Sequence, residues 1–105
     1  VGVGIYRGEY RHWERIQTLG SWETEVTLRG FTYRFSPDCF LRPNYLLWES
    51  FLSLIRPLGE HRKALELHAG IGFFTLPLSR WVEGLESSDL NCESSRYREI
   101  NLRIN

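Results

Sequence analysis

Two glycines that follow a short apolar segment form the stretch of this 105-residue chain that is best suited to bind a ligand. Positions 68–72 read HAGIG, which brings Gly70 and Gly72 into one short turn. Glycine lacks a Cβ atom and tolerates positive φ, so such a turn brings bare backbone close to a ligand. Glu86 follows at nearly the spacing, about 20 residues, at which a carboxylate binds a ribose in nucleotide-binding folds. These residue types predict a crevice for a nucleotide-like ligand.

The flanking segments predict the elements that position these residues. An apolar strand over 64–67 precedes the turn, a helical run covers 73–80, and a second strand covers 82–85, with Glu86 at its carboxyl end. Parallel strands joined by a helix bind ligands outside their carboxyl ends, where the turn and Glu86 are expected to meet. The pattern indicates one half of a nucleotide-type crevice in an α/β fold.

The chemistry around the turn favours a ligand without phosphates. A dinucleotide fingerprint has a third glycine where this sequence has Thr75, and Glu66 brings an anionic side chain close to the loop, which is unfavourable for a pyrophosphate. S-adenosylmethionine has no phosphate and carries a sulfonium cation, so the spacing of Glu66, Gly70 and Gly72 fits that cofactor better. Binding of a nicotinamide dinucleotide is an alternative that rests on the glycine turn alone.

Four segments between Phe31 and Asn105 carry a more specific pattern. They read FSPDCFLRPN from position 35, LELHAGIGFFTLPLSR from 65, VEGLE from 82 and NLRIN from 101. Their order and spacing resemble the RNA 5-methyluridine (uracil-5) methyltransferase family. The corresponding family motifs are F-S-P-x-x-F-x-Q-x-N, L-D-L-x-C-G-x-G-x-F-[ST]-L-x-L-A, V-x-G-V-E and N-A-x-x-N.

The resemblance implies a fold, a cofactor and a substrate. The fold is α/β, with N-terminal antiparallel β-strands followed by a partial Rossmann-like (class I methyltransferase) β-α-β unit. The cofactor is S-adenosylmethionine, and the substrate is RNA (tRNA or rRNA), bound through the full-length enzyme. The cysteine nucleophile and the carboxylate base of the family lie downstream of Asn105, so no catalytic residue is expected here. The expected cofactor-binding residues are Phe40, Arg42, Glu66, His68, Gly70, Ile71, Gly72, Glu86 and Ser87.

The chain departs from the family pattern at several of these positions. Arg42 stands where the family has a glutamine that reaches the cofactor and the target site. Phe73 stands where an asparagine often follows the second glycine, and His68 and Ala69 replace an aromatic residue and a cysteine. A cationic Arg42 near a sulfonium is unfavourable unless a carboxylate such as Glu66 or Glu86 pairs with it. In the family's terms, residues 70–72 approach the methionine portion of the cofactor and Glu86 holds its ribose.

The first 35 residues predict antiparallel β structure. Strands are expected around 3–6, 13–19, 23–28 and 31–35, with turns at Gly8-Glu9, Gly20-Ser21 and Arg29-Gly30. Arginines alternate with aromatic residues through this region, which suits base stacking and phosphate contacts or, alternatively, a sheet with one solvated face. These residues are Arg7, Arg11, Arg15, Arg29 and Arg34, with Tyr6, Tyr10, Trp13 and Trp22.

Two further helices are expected. Asn44 is a good N-cap for a helix from Tyr45 to about Arg56, which Pro57 ends. A polar loop at 87–89, with residues suited to capping, precedes a last helix over 92–105.

Length and composition limit the remaining possibilities. We expect one truncated domain, with a β-rich segment over 1–35 and a partial methyltransferase core over 36–105. The 13 basic and 13 acidic residues balance, so RNA affinity would come from a local patch or from other domains. Cys39 and Cys92 are isolated in sequence, which predicts free thiols and no metal site. Unpaired cysteines and the lack of a membrane or targeting segment predict a cytoplasmic protein. Exposed strand edges leave a non-catalytic, self-associating fragment as the alternative function.

Overall fold

The computed structural model describes residues 2–9, 12–55 and 61–105. Two antiparallel hairpins come first, and a parallel β-α-β unit and a C-terminal helix follow. The elements are β1 (Gly2–Glu9), β2 (His12–Gly20), β3 (Thr24–Leu28), β4 (Phe31–Phe35), a 3₁₀ turn (Tyr45–Leu47), α1 (Trp48–Ile55), β5 (His61–Leu67), α2 (Thr75–Leu78), β6 (Val82–Ser88) and α3 (Cys92–Ile104). In this part of the chain β1 pairs with β2, β3 with β4, and β5 with β6. The predicted order of antiparallel strands and then a β-α-β unit is confirmed.

The β3–β4 hairpin closes where the sequence predicts. Leu28 pairs with Phe31 across a two-residue turn, and Arg29 and Gly30 have φ values of 49° and 80°. Positive φ at both central residues is the geometry that matches the twist of antiparallel strands. The hairpin places Leu28 and Tyr33 in the core, where they are 6% and 1% exposed.

The β1–β2 hairpin is longer than predicted and largely exposed. Gly8 pairs with Trp13 and Glu9 with His12, so the turn predicted at Gly8-Glu9 is wrong. Continued pairing satisfies the backbone groups of these residues, which a local turn would leave to solvent. Residues 10 and 11, between the two strands, lie outside the described ranges.

One hydrophobic core joins the β3–β4 hairpin to the α/β half. Its buried residues come from the hairpin, the loop after it, α1, the glycine turn, α2 and α3. They are Leu28, Tyr33, Cys39, Trp48, Leu52, Ile71, Leu76 and Tyr97. Cys39 is therefore buried, Cys92 is exposed, and neither forms a disulfide.

Two asparagines attach α3 to the edge of β4. Asn101 accepts a hydrogen bond at Oδ1 from Arg34 N (2.7 Å) and donates from Nδ2 to Arg34 O (3.0 Å). One helical turn later, Asn105 makes the same two contacts with Thr32, both at 2.8 Å. Because each side-chain amide offers a donor and an acceptor, α3 pairs with β4 as a neighbouring strand would.

Helix boundaries differ from the predictions where turns come first. The helix expected from Tyr45 begins as the 3₁₀ turn, and α1 starts at Trp48. Asn44 occupies the cap position but makes no side-chain capping bond. The predicted end at Arg56 and Pro57 lies outside the described residues.

No helix in the described part of the chain is long and apolar enough to cross a membrane.

The β-α-β unit has longer strands and a shorter helix than predicted. Strand β5 begins at His61, β6 continues to Ser88, and α2 covers only Thr75–Leu78. Residues 70–74 form a turn first, because the backbone must reverse at the glycines before a helix can start. The last helix is close to its prediction, and its N-cap is Asn91, whose Oδ1 accepts from Ser94 N at 2.8 Å.

Candidate functional site

The glycine turn lies at the carboxyl edge of the parallel sheet, between β5 and α2. Gly70 and Gly72 have φ values of 56° and 91°, and His68 has a φ of 58°. Positive φ is natural for glycine and costs a non-glycine residue about 1–3 kcal/mol. The backbone bond from Ala69 N to Ser88 O (2.9 Å) holds the turn against β6, and the bond from Gly72 N to Ala69 O (3.0 Å) lies within the turn. The positive φ expected of both glycines is therefore observed.

The two glycines have different surroundings. A Cβ atom on Gly72 would lie 3.0 Å from Cγ of Arg98 and 3.5 Å from Cβ of Thr75, so this glycine lets α3 pack on the turn. A Cβ on Gly70 would have only the carbonyl oxygen of Phe40, at 4.0 Å, as a neighbour. Gly70 therefore presents open backbone toward the segment that contains Phe40 and Arg42.

Asp89 is a site residue that the sequence did not identify. Its Oδ2 accepts a hydrogen bond from Gly70 N at 2.7 Å, and its Oδ1 accepts from Asn91 N at 2.8 Å. The sequence predicted only a polar loop with capping residues here, because nothing local shows that the loop after β6 reaches the turn after β5. A carboxylate thus occupies the amide that a phosphate would use in a dinucleotide site.

A buried arginine contacts the glycine turn, and a partly buried glutamate contacts the start of α2. Arg98 is 8% exposed and donates from Nη1 to Gly70 O at 3.1 Å. Glu66 accepts at Oε2 from the hydroxyl of Thr75 at 2.5 Å. Burial raises the pKa of the Glu66 carboxyl, while the Thr75 hydrogen bond and the charges of Arg98 and Arg42 oppose that rise. The negative charge of Glu66 therefore offsets the positive charges of Arg98 and Arg42.

Arg42 lies over three aromatic rings. Its guanidinium carbon is 4.8 Å from the ring centre of Phe74, 5.1 Å from that of Phe51 and 5.6 Å from that of Phe73. Among the described residues, no carboxylate lies within ion-pair distance of Arg42. The pairing with Glu66 considered above is thus a longer-range attraction, and cation–π contacts hold the guanidinium instead.

The register of the parallel strands divides the predicted residues between two faces. Glu86 pairs with Leu65, and Ser87 pairs with Glu66. Because successive side chains in a strand alternate, Glu86 shares the exposed face of Leu65 and Leu67, whereas Ser87 shares the covered face of Glu66. The structure therefore separates Glu86 from Glu66.

A cleft opens on the face of Glu86. It has a volume of about 320 Å³ and lies between the carboxyl ends of β5 and β6. Glu86 lies two residues before Ser88 on this face and is exposed to solvent. Ile71, another predicted site residue, does not line this cleft. Its side chain is buried, at 3% exposed, and its carbonyl accepts a hydrogen bond from Nδ2 of Asn101 at 2.9 Å. The lining residues are Leu67, His68, Ser88, Asp89 and Leu90.

A parallel β-α-β unit with a glycine turn at its carboxyl edge is the arrangement found in one half of a Rossmann-type fold. No protein-family model matches the chain. An uncharacterized RNA methyltransferase of Aquifex aeolicus matches the full length of this chain with 35% identity, over 25% of its own length. A tRNA/tmRNA (uracil-C(5))-methyltransferase of Campylobacter lari matches 70% of this chain with 26% identity, over 22% of its own length. The chain thus spans about a quarter of the length of these curated relatives.

Solved structures give the same fold. A Pyrococcus abyssi tRNA (uracil-54, C5)-methyltransferase, solved with S-adenosyl-L-homocysteine, matches 96% of this chain with a TM-score of 0.75 and 19% identity, over 27% of its own length. Trm5b from the same organism matches 97% of this chain with a TM-score of 0.75 and 20% identity, over 32% of its own length. The resemblance to RNA methyltransferases and the methyltransferase-type fold are confirmed.

Proposed function

We propose that the chain is the cofactor-binding part of an S-adenosylmethionine-dependent RNA (uracil-5-)-methyltransferase. The observation that carries the proposal is the hydrogen bond from Gly70 N to the carboxylate of Asp89. This carboxylate places a negative charge at the backbone amide where a dinucleotide would place a phosphate. A negative charge at this amide attracts a sulfonium cation and repels a pyrophosphate, which argues against the nicotinamide alternative.

The cleft on the face of Glu86 suits the adenosine part of the cofactor. Leu67 and Leu90 are 62% and 97% exposed and offer apolar surface to a base. Glu86 lies on the same face, and one carboxylate can accept hydrogen bonds from both hydroxyls of a ribose. We therefore assign the ribose to Glu86. His68 lines the cleft at the strained start of the turn and is assigned to the adenosine side.

The methionine part is assigned to the open side of Gly70. Here the carbonyl of Phe40 can accept from the amino group, and the guanidinium of Arg42 can bind the carboxylate, for which its planar fork is well suited. Arg42 replaces the glutamine of the family pattern, and this role explains how a cation is compatible with a sulfonium site. Ile71 and Gly72 shape the turn, and Ser87 remains a prediction on the covered face.

In the proposed reaction the cofactor supplies an electrophilic methyl group, and this chain's residues bind and orient it. The cysteine nucleophile and the base come from residues outside this sequence, as the family resemblance implies. RNA as substrate and a cytoplasmic location are part of the same proposal. They are supported by the names of the relatives and by the sequence pattern, respectively.

The alternative function is self-association without catalysis. It is favoured by one observation, the exposure of Leu65 and Leu67, which are 67% and 62% exposed on one face of the parallel sheet. A second copy of the chain could cover this face. Sedimentation showing a monomer at high concentration would exclude this alternative.

Replacing Glu86 by alanine tests the assigned cofactor site. Hydrogen bonds to a charged group contribute about 1.5–3 kcal/mol, so we expect roughly 10- to 150-fold weaker binding of S-adenosylhomocysteine in calorimetric titration. Glu83→Ala is the matched control, because Glu83 lies on the same strand and pairs with exposed Arg62 at 3.1 Å. Equal affinities of the two variants would show that Glu86 does not hold the ribose. A folded wild-type chain that binds no S-adenosylhomocysteine would contradict the proposed function itself.

A further inference from the structure

The β1–β2 hairpin carries an aromatic groove that the cofactor site does not use. We define this aromatic groove by the rings of Tyr6, Trp13 and Trp22, with Asp38 at one end. The groove has a volume of about 550 Å³. Trp13 is 63% exposed and Tyr6 37% exposed, so both rings are accessible from solvent.

The rings of the groove are held in place by specific contacts. Trp22 packs against Gly4, where a Cβ atom would lie 2.4 Å from the indole ring. The guanidinium carbon of Arg15 lies 4.2 Å from the ring centre of Trp22. The hydroxyl of Tyr6 donates to Oδ1 of Asp38 at 2.5 Å. These contacts fix the positions of Trp22 and Tyr6, so the groove has a preformed wall.

The arginine beside the groove has an acidic partner. Arg15 lies 3.5 Å from Asp38. A second depression of about 390 Å³ adjoins the groove and includes the side chains of Asn91 and Glu93. Because Arg15 is paired with Asp38, the groove is poorly suited to a phosphate backbone. It suits a planar neutral group whose edge carries hydrogen-bond donors and acceptors.

A chain of hydrogen bonds connects the groove to the glycine turn. Asn91 donates from Nδ2 to Asp38 O at 3.3 Å and from its backbone N to Asp89 Oδ1 at 2.8 Å. Asp89 in turn accepts from Gly70 N at 2.7 Å. The groove therefore lies beside the carboxyl edge of the parallel sheet, next to the proposed cofactor site.

We propose that the aromatic groove binds one unpaired base of the RNA substrate, stacked on Trp13 with its polar edge toward Asp38 and Asn91. An unpaired base combines a planar apolar face with a polar edge, and aromatic side chains are the usual platform for it. The position beside the glycine turn suits a base that flanks the methylated nucleotide. This inference rests on the proposed function, because it takes RNA as the substrate.

The test is Trp13→Ala in fluorescence anisotropy with a labelled single-stranded, uridine-containing RNA. Loss of one stacked base corresponds to about 1–3 kcal/mol, so we expect roughly 5- to 150-fold weaker binding. Trp13→Phe should retain most of the affinity, because a phenyl ring still stacks. The matched control is Ile16→Ala on the same strand, which removes an exposed apolar side chain outside the groove and should leave RNA binding unchanged.

Three outcomes would overturn the inference. They are wild-type protein that does not bind the RNA, equal affinities of Trp13→Ala and Ile16→Ala, and a Trp13→Ala defect confined to self-association in sedimentation. The last would identify the groove as a protein interface. Titration of the same variants with S-adenosylhomocysteine separates this inference from the proposed function. Trp13→Ala should bind the cofactor product normally, so loss of RNA binding alone concerns the groove, and absent cofactor binding concerns the cofactor site.

Discussion

Arg42 and Phe73, the two residues that depart most clearly from the family pattern, contact each other, with the guanidinium carbon 5.6 Å from the ring centre. The ring of Phe73 packs against Tyr33 and Trp48, with ring centres 5.8 Å and 5.7 Å apart, and its carbonyl accepts from the hydroxyl of Tyr33 at 3.0 Å. Phe73 thus belongs to the core and also forms part of the aromatic surface that holds Arg42. The two departures support each other, because the phenyl ring provides a surface on which the guanidinium can lie.

Glu66 gives a pH-dependent prediction at the residue scale. Burial raises the pKa of its carboxyl in the folded state, so the folded chain binds more protons than the unfolded chain just above the ordinary carboxyl pKa. The contribution of Glu66 to stability therefore falls as the pH rises through this window. We expect Glu66→Gln to remove this part of the pH dependence and to be relatively more stable than the wild type near pH 7 than near pH 4.

Urea denaturation across this pH range measures the effect. Glutamine keeps an acceptor for the Thr75 hydroxyl, so the substitution removes the titrating group with little change in shape. Glu83→Gln, on exposed β6 surface, is the control and should leave the pH profile unchanged. Parallel profiles for wild type and Glu66→Gln would show that Glu66 titrates as in an unfolded chain.

The contact between α3 and β4 carries the prediction at the scale of elements. Asn101 is fully buried and bonds to both backbone groups of Arg34 and to the carbonyl of Ile71 in the glycine turn. Asn101→Ala would leave three backbone groups without this partner, and each buried polar group that loses its partner costs about 1–3 kcal/mol. Because Arg34 is only partly buried, we expect the free energy of unfolding to fall by about 2–4 kcal/mol.

Asn105→Ala is the matched control for Asn101. It removes the equivalent pair of bonds to Thr32, but at an exposed position where water can replace them, so we expect a loss of about 1 kcal/mol. Chemical denaturation of both variants measures the difference. Equal losses would mean that the burial of Asn101 and its link to the glycine turn do not add to stability.

Elements defined by local chemistry were predictable from the sequence. The Arg29-Gly30 turn, the strand–glycine–helix order and the last helix follow from glycine geometry and side-chain periodicity. The bond from Asp89 to Gly70, the start of β5 at His61 and the amide pairing of Asn101 depend on segments far apart in sequence. Periodicity contains no information on such contacts, so the structure was needed to find them.

Glu86 shows the same limit within the site. Its spacing from the glycines predicted a place at the end of a strand, and β6 does carry it near its carboxyl end. Which face it occupies follows from the register of β6 with β5, since a shift of one residue would reverse the faces. The sequence therefore grouped Glu66 and Glu86 in one site, and the pairing of the strands separates them.

At the scale of the whole molecule, the chain combines two surfaces beside one edge of the parallel sheet. The cleft between β5 and β6 lies on one side of Asp89, and the aromatic groove is linked to Asp89 through Asn91. In the proposed enzyme the first would hold the cofactor and the second an RNA base. This arrangement would bring methyl donor and RNA together at the turn.

Calorimetric titration of the chain with S-adenosylmethionine, S-adenosylhomocysteine and NAD tests the central claim most directly. The Asp89 carboxylate on the amide of Gly70 predicts saturable binding of both adenosyl compounds, tighter binding of the sulfonium cation than of the neutral thioether, and no binding of NAD. Binding of NAD, or a folded chain that binds neither adenosyl compound, would contradict the claim that this turn is an S-adenosylmethionine site.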